Sequence, residues 1–386
     1  MKTLLKNGTV VNVFTEQLEK VNVLIEDGII IGLDDYIDEE ADVVEDISGK
    51  FICPGFIDGH IHIESTLVPP AEFARIVLPH GTTTIIADPH EIANVSGTDG
   101  IEYMLATSTG IPLNIYLMMP SCVPATSFDE SGAVLDAEDI RYLFHHPRVL
   151  GLAEVMDYFN VCRKEKKTAA KIAEALSLDR IVDGHAPLLS GKNLDKYVAS
   201  GIDSDHECIS AEEAIEKIRK GMWVMVREGS AARNLDKLLP LFDQPYCNRC
   251  LLVTDDKNLS DLLHSGHIDN IIRKAVAAGK SPVTAIKMAT LNASQRFGLK
   301  RRGAVAPGYT ADLLVLNDLD SVDVNDVYIK GKKIVSDKRS KPFINPPVSP
   351  ILNKAVLNSM HMDELIPYAF HIENKGVSNA RNFGMA

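Results

Sequence analysis

Residues 51–63 read FICPGFIDGHIHI, an apolar run that ends in two histidines, His60 and His62. Side chains at positions i and i+2 of a β-strand point to the same face, so both imidazoles can bind one metal ion at the end of a strand. A single pair of this kind is weak evidence, because polar side chains are common at solvated strand ends. The pair gains weight from the histidines and carboxylates that follow later apolar runs.

Similar apolar runs recur between about residue 50 and residue 305, and amphipathic stretches separate them. Eight runs can be counted, starting at residues 51, 82, 113, 149, 180, 201, 222 and 250. Eight strand–helix repeats in about 250 residues predict an α/β fold, a (β/α)8 barrel of the TIM type. A doubly wound open sheet is the alternative, but it requires a glycine-rich phosphate turn after an early strand, and the sequence contains none.

Helices are predicted between these runs, at residues 164–177, 211–220 and 267–278. Ser210 precedes the second of them, and Glu213 follows three residues later. This spacing is typical of a capping box, in which each side chain binds the backbone of the other residue.

Both ends of the chain differ from this middle part. Val/Ile-rich pieces with turns at Asn7-Gly8 and Asp27-Gly28 fill residues 1–50, and similar pieces return after residue 303. They predict a small β-sandwich domain built from residues 1–50 and 306–345, beside a barrel of residues 51–305. Residues 346–386 show little apolar periodicity, so we expect a weakly structured tail.

Composition sets limits on the location and partners of the protein. The chain has 386 residues, 45% of them hydrophobic, and a net charge of −13. It contains neither an apolar run of about 20 residues nor a signal peptide, which predicts a cytoplasmic protein without a membrane partner. The acidic balance argues against a nucleic-acid partner. Six scattered cysteines form no disulfide-like framework, so we expect reduced thiols.

Further polar residues fall at the ends of later runs, where a TIM barrel collects its chemistry. Glu154 lies in run four, His185 ends run five, His206 ends run six and Asp255 ends run eight. Taken singly, each has a structural explanation, such as a hydrogen-bonded rim histidine or a helix cap. Four histidines and two carboxylates on one rim exceed the ligands of one tetrahedral zinc and predict a two-metal centre with a bridging carboxylate.

These residues lie in a sequence that resembles the adenine deaminases of the amidohydrolase superfamily. The matching segments are PGFIDGHIHIEST, GTTTIIADPHEIANV, GLAEVM, DGHAP, SGIDSDHE, VREGS, TDDK, GHIDNIIRKAV, ATLNASQRFGL and GAVAPGYTADLLVL, in that order from residue 54 onward. The first segment alone is shared with dihydroorotases, cytosine deaminases and imidazolone hydrolases. The ADPHEIANV and SDHE segments are those that indicate adenine.

The resemblance implies a ligand set for two divalent metal ions. In it, His60 and His62 hold one ion, His185 and His206 hold the other, Glu154 bridges them, and Asp255 completes the first site. Many relatives bridge with a carboxylated lysine where GLAEVM has glutamate. An oxygen-rich site of high coordination number favours Mn²⁺ or Fe²⁺ over Zn²⁺.

The resemblance also implies a further C-terminal domain that this sequence lacks. From this we expect lower stability, and lower activity, than in a full-length relative.

The implied reaction is the hydrolytic deamination of adenine to hypoxanthine and ammonia, a step of purine salvage. Metal-activated hydroxide would attack C6 of the purine, while Asp255 takes a proton from the water and delivers it to the leaving nitrogen.

A second acid is needed at ring N1, and we predict Glu228 for this role. Glu64, Glu91 and Glu207 are rivals, and an ion pair with Arg227 or Arg233 on a solvated loop is the structural alternative for Glu228. His90 is predicted either to line the substrate pocket or to cap a helix.

Other functions are weighed against this one. An HxE at residues 62–64 and a CxxC at residues 247–250 superficially resemble the zinc nucleobase deaminases, but no proline directly precedes Cys247 and the strand–helix pattern is wrong for that class. Two alternatives stay open: a metal-binding barrel with impaired catalysis, and an amidohydrolase that acts on another aminated heterocycle. A homodimer through barrel helices is expected by analogy alone.

Overall fold

The computed structural model describes residues 1–35, 41–126 and 128–346, so the predicted tail lies outside the described residues apart from its first position. The chain begins with short strands: β1 Lys2–Lys6, β2 Thr9–Asn12, β3 Gln17–Lys20, β4 Asn22–Glu26, β5 Ile29–Asp34, β6 Val43–Asp46 and β7 Phe51–Pro54. Asn7 and Asp27 adopt positive φ angles of 64° and 47°, which Asn and Asp tolerate better than most residues. The predicted turn at Asp27-Gly28 is confirmed between the paired strands β4 and β5, whereas at Asn7 the chain bends between β1 and β2, which belong to different sheets.

Parallel strands build the middle of the molecule. They are β8 Phe56–His62, β9 Thr82–Ala87, β10 Asn114–Met119, β11 Val149–Val155, β12 Ile181–Gly184, β13 Ser204–Asp205, β14 Trp223–Arg227, β15 Cys250–Val253 and β16 Asp255–Asp256. Neighbours pair in parallel from β8 to β12 and from β13 to β15, while β16, which continues β15 after Thr254, pairs with β8. Between β12 and β13, the Gly184 amide donates to Ser204 Oγ over 3.1 Å. All eight predicted runs form strands, and the predicted α/β fold of TIM type is confirmed.

The run at residues 51–63 is two strands and not one. The first of them, β7, pairs in antiparallel fashion with β17 Leu313–Leu316 and in parallel with β2, so it belongs to a sheet built by the chain ends. The break falls at Gly55, where a Cβ atom would lie 2.2 Å from Thr83 Oγ1. This close approach leaves no room for a side chain at the point where the chain passes from one sheet to the other.

Helices follow most barrel strands: α1 Pro70–Val77, α2 His90–Thr107, α3 Ala137–Arg141, α4 Tyr158–Arg163, α5 Lys166–Ser177, α6 Gly191–Ala199, α7 Ala211–Arg219, α8 Leu235–Leu238, α9 Leu259–Ser265, α10 Ile268–Ala277, α11 Pro282–Met288 and α12 Leu291–Arg296. The three predicted helices correspond to α5, α7 and α10. Ser210 caps α7 as predicted by accepting from the Glu213 amide, but the Glu213 carboxylate accepts from Ile209 N, one residue before the capping-box position.

The chain ends form two sheets. After β17 come β18 Val324–Ile329, β19 Lys332–Ser336 and β20 Arg339–Ser340. One sheet has the strand order β5-β4-β1-β6, and the other has the order β20-β19-β18-β17-β7-β2-β3. Buried side chains of both sheets, among them Leu5, Ile25, Ile52 and Leu313, meet in one apolar cluster.

Successive side chains of the barrel strands pack alternately into two different apolar clusters. Trp223, Met225, Leu251 and Val253 share a buried cluster with Phe297, which follows α12, whereas the intervening residues of β14 and β15 pack in the large cluster that includes the helices. The register between β8 and β9 shifts between Asp58 and Ile61. Such an irregularity re-aims the side chains that follow it, here the two histidines at the end of β8.

Two further features concern the cysteines and the length of the helices. All six cysteines are free thiols, and five of them are buried. Within the described ranges, no helix combines the length and the apolar character that crossing a membrane requires.

Candidate metal centre

The first group of candidate ligands is built by the neighbouring strands β8 and β16. His60 and His62 lie at the end of β8, and Asp255 is paired with Ile61 of the same strand. Asp255 Oδ1 is 3.4 Å from His60 Nε2 and 3.2 Å from His62 Nε2. The backbone of Asp255 has a φ of 58°, a left-handed conformation that costs an aspartate about 1–3 kcal/mol. The fold therefore holds this carboxylate against the two imidazoles at some cost in backbone strain.

The second group is built by strands β11, β12 and β13. Glu154 Oε2 is 2.7 Å from His185 Nδ1 and 3.1 Å from His206 Nε2. The other carboxylate oxygen, Oε1, is 3.5 Å from His62 Nε2 in the first group. Glu154 thus reaches both histidine pairs, one with each oxygen, which is the arrangement that the predicted bridging role requires.

The donor set fits divalent metal ions. The Nε2 atoms of His60 and His206 are buried and have no hydrogen-bond partner among the residues that the structure describes. The potential ligand atoms of His60, His62 and Asp255 lie within 4.8 Å of one another, as do those of His60, Glu154 and His206. Buried imidazole nitrogens left unpaired beside carboxylate oxygens are costly unless a cation satisfies them. All six predicted ligands are therefore brought together in a manner suited to metal binding.

Charges within this group perturb its protonation in the metal-free chain. Burial lowers the pKa of His62, but hydrogen bonding to Asp255 and Glu91 outweighs burial and raises it well above its usual range. Burial raises the pKa of Glu154, but His185 and His206 outweigh burial and lower it well below its usual range. A proton therefore favours the His62 imidazole until a metal ion displaces it.

Asp88 and His90 extend this group beyond the predicted ligands. The Asp88 carbonyl accepts from His62 Nδ1 over 3.0 Å, which leaves His62 Nε2 as the nitrogen that faces Asp255. His90 Nδ1 lies 3.0 Å from Asp88 Oδ2 and 3.4 Å from Glu154 Oε1. His90 is also the first residue of α2. It therefore lies both beside the candidate metal ligands and at the start of a helix. Sequence reasoning missed Asp88, although it directly follows the apolar run of β9.

The carboxylate of Glu228 bonds residues other than the candidate metal ligands. Its Oε1 accepts from Lys274 Nζ over 2.6 Å, and its Oε2 accepts from the Leu235 amide over 3.3 Å. No ion pair joins it to a histidine within the described part of the chain. Glu228 does form an ion pair, but its partner is Lys274 and not Arg227 or Arg233, and its side chain is buried.

The rival Glu207 is held by Arg227, which was considered above only as a partner of Glu228. Arg227 donates from Nη1 and Nη2 to the two carboxylate oxygens of Glu207, and from Nη1 to Asp255 Oδ2 over 2.9 Å. Glu207 Oε1 also lies 3.4 Å from His206 Nε2. Arg227 thus joins a carboxylate of the first group to a carboxylate beside the second.

Glu64 and Glu91 are the remaining rivals. Glu91 Oε2 lies 3.4 Å from His62 Nδ1. Burial and the neighbouring Glu91 raise the pKa of Glu64 to about 8. Glu91 therefore lies beside His62 of β8, while Glu207 lies beside His206.

Taken together, a TIM-type α/β fold with four histidines and two carboxylates at the ends of its strands is typical of metal-dependent hydrolases of the barrel class. The chain belongs to the amidohydrolase family, whose family model matches residues 51–334. Membership of this family implies binding of divalent metal ions.

Curated relatives are similar to most of the chain. It is 51% identical over 334 residues to the adenine deaminase of Oceanobacillus iheyensis, covering 86% of this chain and 57% of that protein. It is 46% identical over 382 residues to adenine deaminase 2 of Carboxydothermus hydrogenoformans, covering 99% of this chain and 65% of that protein. The chain therefore spans about three fifths of the length of these relatives.

Solved structures share the fold at low sequence identity. The dihydropyrimidinase of Brevibacillus agri NCHU1002 superposes with a TM-score of 0.67 at 14% identity, over 88% of this chain and 96% of that one. Enamidase superposes with a TM-score of 0.66 at 18% identity, over 89% of this chain and 98% of that one. These likenesses support the fold alone.

Proposed function

We propose that this chain hydrolyses adenine to hypoxanthine and ammonia. The observation that carries the proposal is the convergence of six residues from five strand ends, with Glu154 reaching both histidine pairs over 2.7–3.5 Å. The choice of adenine is supported by the two curated relatives, which are named adenine deaminases and are 51% and 46% identical to the chain. Because the chain spans only part of their length, the activity of the whole relatives is proposed for it and not assumed.

The centre is proposed to hold two divalent ions. His60, His62 and Asp255 hold one ion, His185 and His206 hold the other, and Glu154 contacts both. Mn²⁺ is our choice and Fe²⁺ the second, because a centre that adds the carboxylate oxygens of Asp255 and Glu154 to its imidazoles suits ions of higher coordination number better than tetrahedral Zn²⁺. When bound, the ions supply hydroxide at neutral pH.

Asp255 is proposed to move the proton. Burial raises the pKa of Asp255, but the neighbouring imidazoles of His60 and His62 outweigh burial and lower it, so its carboxylate is ionised before water binds. Arg227 donates a hydrogen bond to Oδ2 of Asp255, and this contact fixes the orientation of the carboxylate. The same carboxyl group then donates to the exocyclic nitrogen, which leaves as ammonia.

Substrate contacts are proposed for His90 and Glu228. His90 lies beside the metal ligands, with its ring centroid 4.6 Å from that of His62. Glu228 is proposed as the acid at ring N1, a role that requires its pair with Lys274 to open when adenine binds. We therefore expect the Glu228→Gln variant to lose kcat, and a normal kcat in that variant would transfer the role to Glu64, Glu91 or Glu207.

The test is ammonia release from adenine by protein reconstituted with Mn²⁺ or Fe²⁺. Asp255→Asn should lower kcat by at least about 100-fold, the usual minimum for loss of a general acid–base group. Asp243→Asn is the matched control, because this carboxylate pairs with Lys280 and is largely exposed. No turnover by protein that holds two ions per chain would contradict the proposal and favour an impaired barrel or another aminated heterocycle as substrate.

Further proposals concern organisation and setting. We propose that residues 1–50 and 306–345, together with β7 at residues 51–54, form a β-sandwich around the cluster shared by the two end sheets, so that the barrel predicted for residues 51–305 begins after β7. The free thiols support a cytoplasmic location, where the enzyme would serve purine salvage with adenine as its small-molecule partner. A homodimer is proposed by analogy, and size-exclusion chromatography with light scattering tests it.

A further inference from the structure

Lys217 is a fully buried lysine close to the second histidine pair. It lies on α7, and its side chain has 0% exposure. A buried ammonium group is costly unless each of its three N–H donors finds an acceptor. Lys217 Nζ donates to the Ala186 carbonyl over 2.7 Å, to Asp205 Oδ2 over 2.9 Å and to Glu213 Oε1 over 2.7 Å. All three donors are therefore satisfied.

Asp205 connects this ammonium group to both ligand-bearing loops. Its Oδ1 accepts from the Ala186 amide over 2.7 Å, and its Oδ2 accepts from the Glu207 amide over 3.2 Å. Ala186 directly follows His185, and Glu207 directly follows His206. A single carboxylate thus fixes the backbone next to each histidine of the second pair.

Glu213 repeats this arrangement one step further along the two loops. Its Oε1 accepts from the Leu188 amide over 2.8 Å, and its Oε2 accepts from the Ile209 amide over 3.1 Å. Leu188 belongs to the loop after β12, and Ile209 belongs to the loop after β13. The two carboxylates and the lysine therefore tie the loops together at four amides and one carbonyl.

We propose that Lys217, together with Asp205 and Glu213, positions the second metal site. We call these three residues the Lys217 cluster. None of them is among the six proposed metal ligands, so the cluster acts through the backbone that carries His185 and His206. The first site is built instead on β8 and β16, by His60, His62 and Asp255. Loss of the cluster should therefore weaken one metal site selectively, and this inference rests on the proposed two-metal centre.

The experiment measures binding of Mn²⁺ alone to the full chain. In Lys217→Met, we expect the dissociation constant of one ion to rise about 10- to 100-fold, the usual effect of losing a group that orients metal ligands. The other ion should keep its affinity. Lys220→Met is the matched control, because Lys220 caps the same helix but pairs with Asp195 and Glu216 near the surface. It should bind two ions as the wild type does.

Electron paramagnetic resonance identifies which ion is lost. A coupled Mn²⁺ pair in the wild type should give way in Lys217→Met to the signal of an isolated ion. That signal should match the His206→Asn variant, which removes a ligand of the second site directly, and should differ from that of Asp255→Asn. A general loss of structure would instead weaken both ions together.

Two unchanged affinities in folded Lys217→Met, or equal loss of both ions, would overturn the inference. If that variant does not fold, the Glu213→Gln variant is used to test the inference instead. Glutamine keeps the length of the side chain but has only one oxygen to accept from the Leu188 and Ile209 amides. We expect weaker binding of the same ion in it, and wild-type affinity would overturn the inference. Adenine turnover is not used, so two bound ions without deamination would contradict the proposed function and not this inference.

Discussion

Replacement of Arg227 by methionine should destabilise the metal-free protein more than the metal-loaded one. The guanidinium group is buried, with 8% side-chain exposure, and it bonds both oxygens of Glu207 and one oxygen of Asp255. These carboxylates have exposures of only 13% and 9%. Methionine fills a similar volume but leaves two buried negative charges without their common cation.

The expected magnitude follows from that burial. Removing one partner of a buried ion pair costs about 3–5 kcal/mol, because the remaining charge is left uncompensated. With an unfolding entropy of about 2.1 cal/mol/K per residue over the 386 residues of the chain, this corresponds to a fall in Tm of about 4–6 °C. Bound divalent ions return positive charge to the same carboxylates, so the fall should be smaller with Mn²⁺ present.

Differential scanning calorimetry in chelator and in Mn²⁺ measures both values. Arg233→Met is the matched control, because Arg233 is 56% exposed and its pair with Asp261 is worth at most about 1 kcal/mol. Arg227→Lys should give an intermediate result, since lysine keeps the charge but not the two-pronged contact. A Tm of Arg227→Met equal to that of the wild type in chelator would refute the reasoning.

Three further outcomes are expected. Glu154→Gln should reduce bound Mn²⁺ from two ions per chain to at most one by elemental analysis, because an amide is a poor bridge between two cations; two retained ions would count against bridging. Dialysis against a chelator should lower the Tm and abolish turnover, and Mn²⁺ should restore both, whereas activity that survives chelation would argue against a metal centre. Burial raises the pKa of Asp269, but hydrogen bonding to His80 outweighs burial and lowers it, so its stabilisation is present above the unfolded pKa of about 3.9 and lost as the pH falls through the folded value. The Tm difference between the wild type and Asp269→Asn should therefore be clear at pH 7 and shrink in acid; a constant difference would contradict this assignment.

Much of the barrel could be predicted because its strands are short, buried and separated by helices. Most of the runs are largely apolar, and the candidate ligands lie at or near the ends of the strands. The same continuity concealed the boundary at Gly55, since β7 and β8 are buried on both sides and periodicity cannot separate them. The transition depends on a backbone approach to Thr83, which is 28 residues away in sequence.

The candidate ligands could be predicted for the same reason, because each ends a strand. The surrounding charge network could not, since its partners come from distant parts of the chain. Glu228 meets Lys274, 46 residues later, and Arg227 meets Asp255, 28 residues later. Lys217 carries no local sign of burial, since it lies on a helix with charged neighbours. Such pairs depend on how helices and loops pack, which residue patterns alone do not encode.

The most direct test of the two-metal centre is anomalous diffraction from a crystal of the Mn²⁺-loaded protein. The account predicts two manganese peaks, one bounded by His60, His62 and Asp255 and the other by His185 and His206, with Glu154 between them. A single peak, or manganese bound outside these six residues, would contradict it.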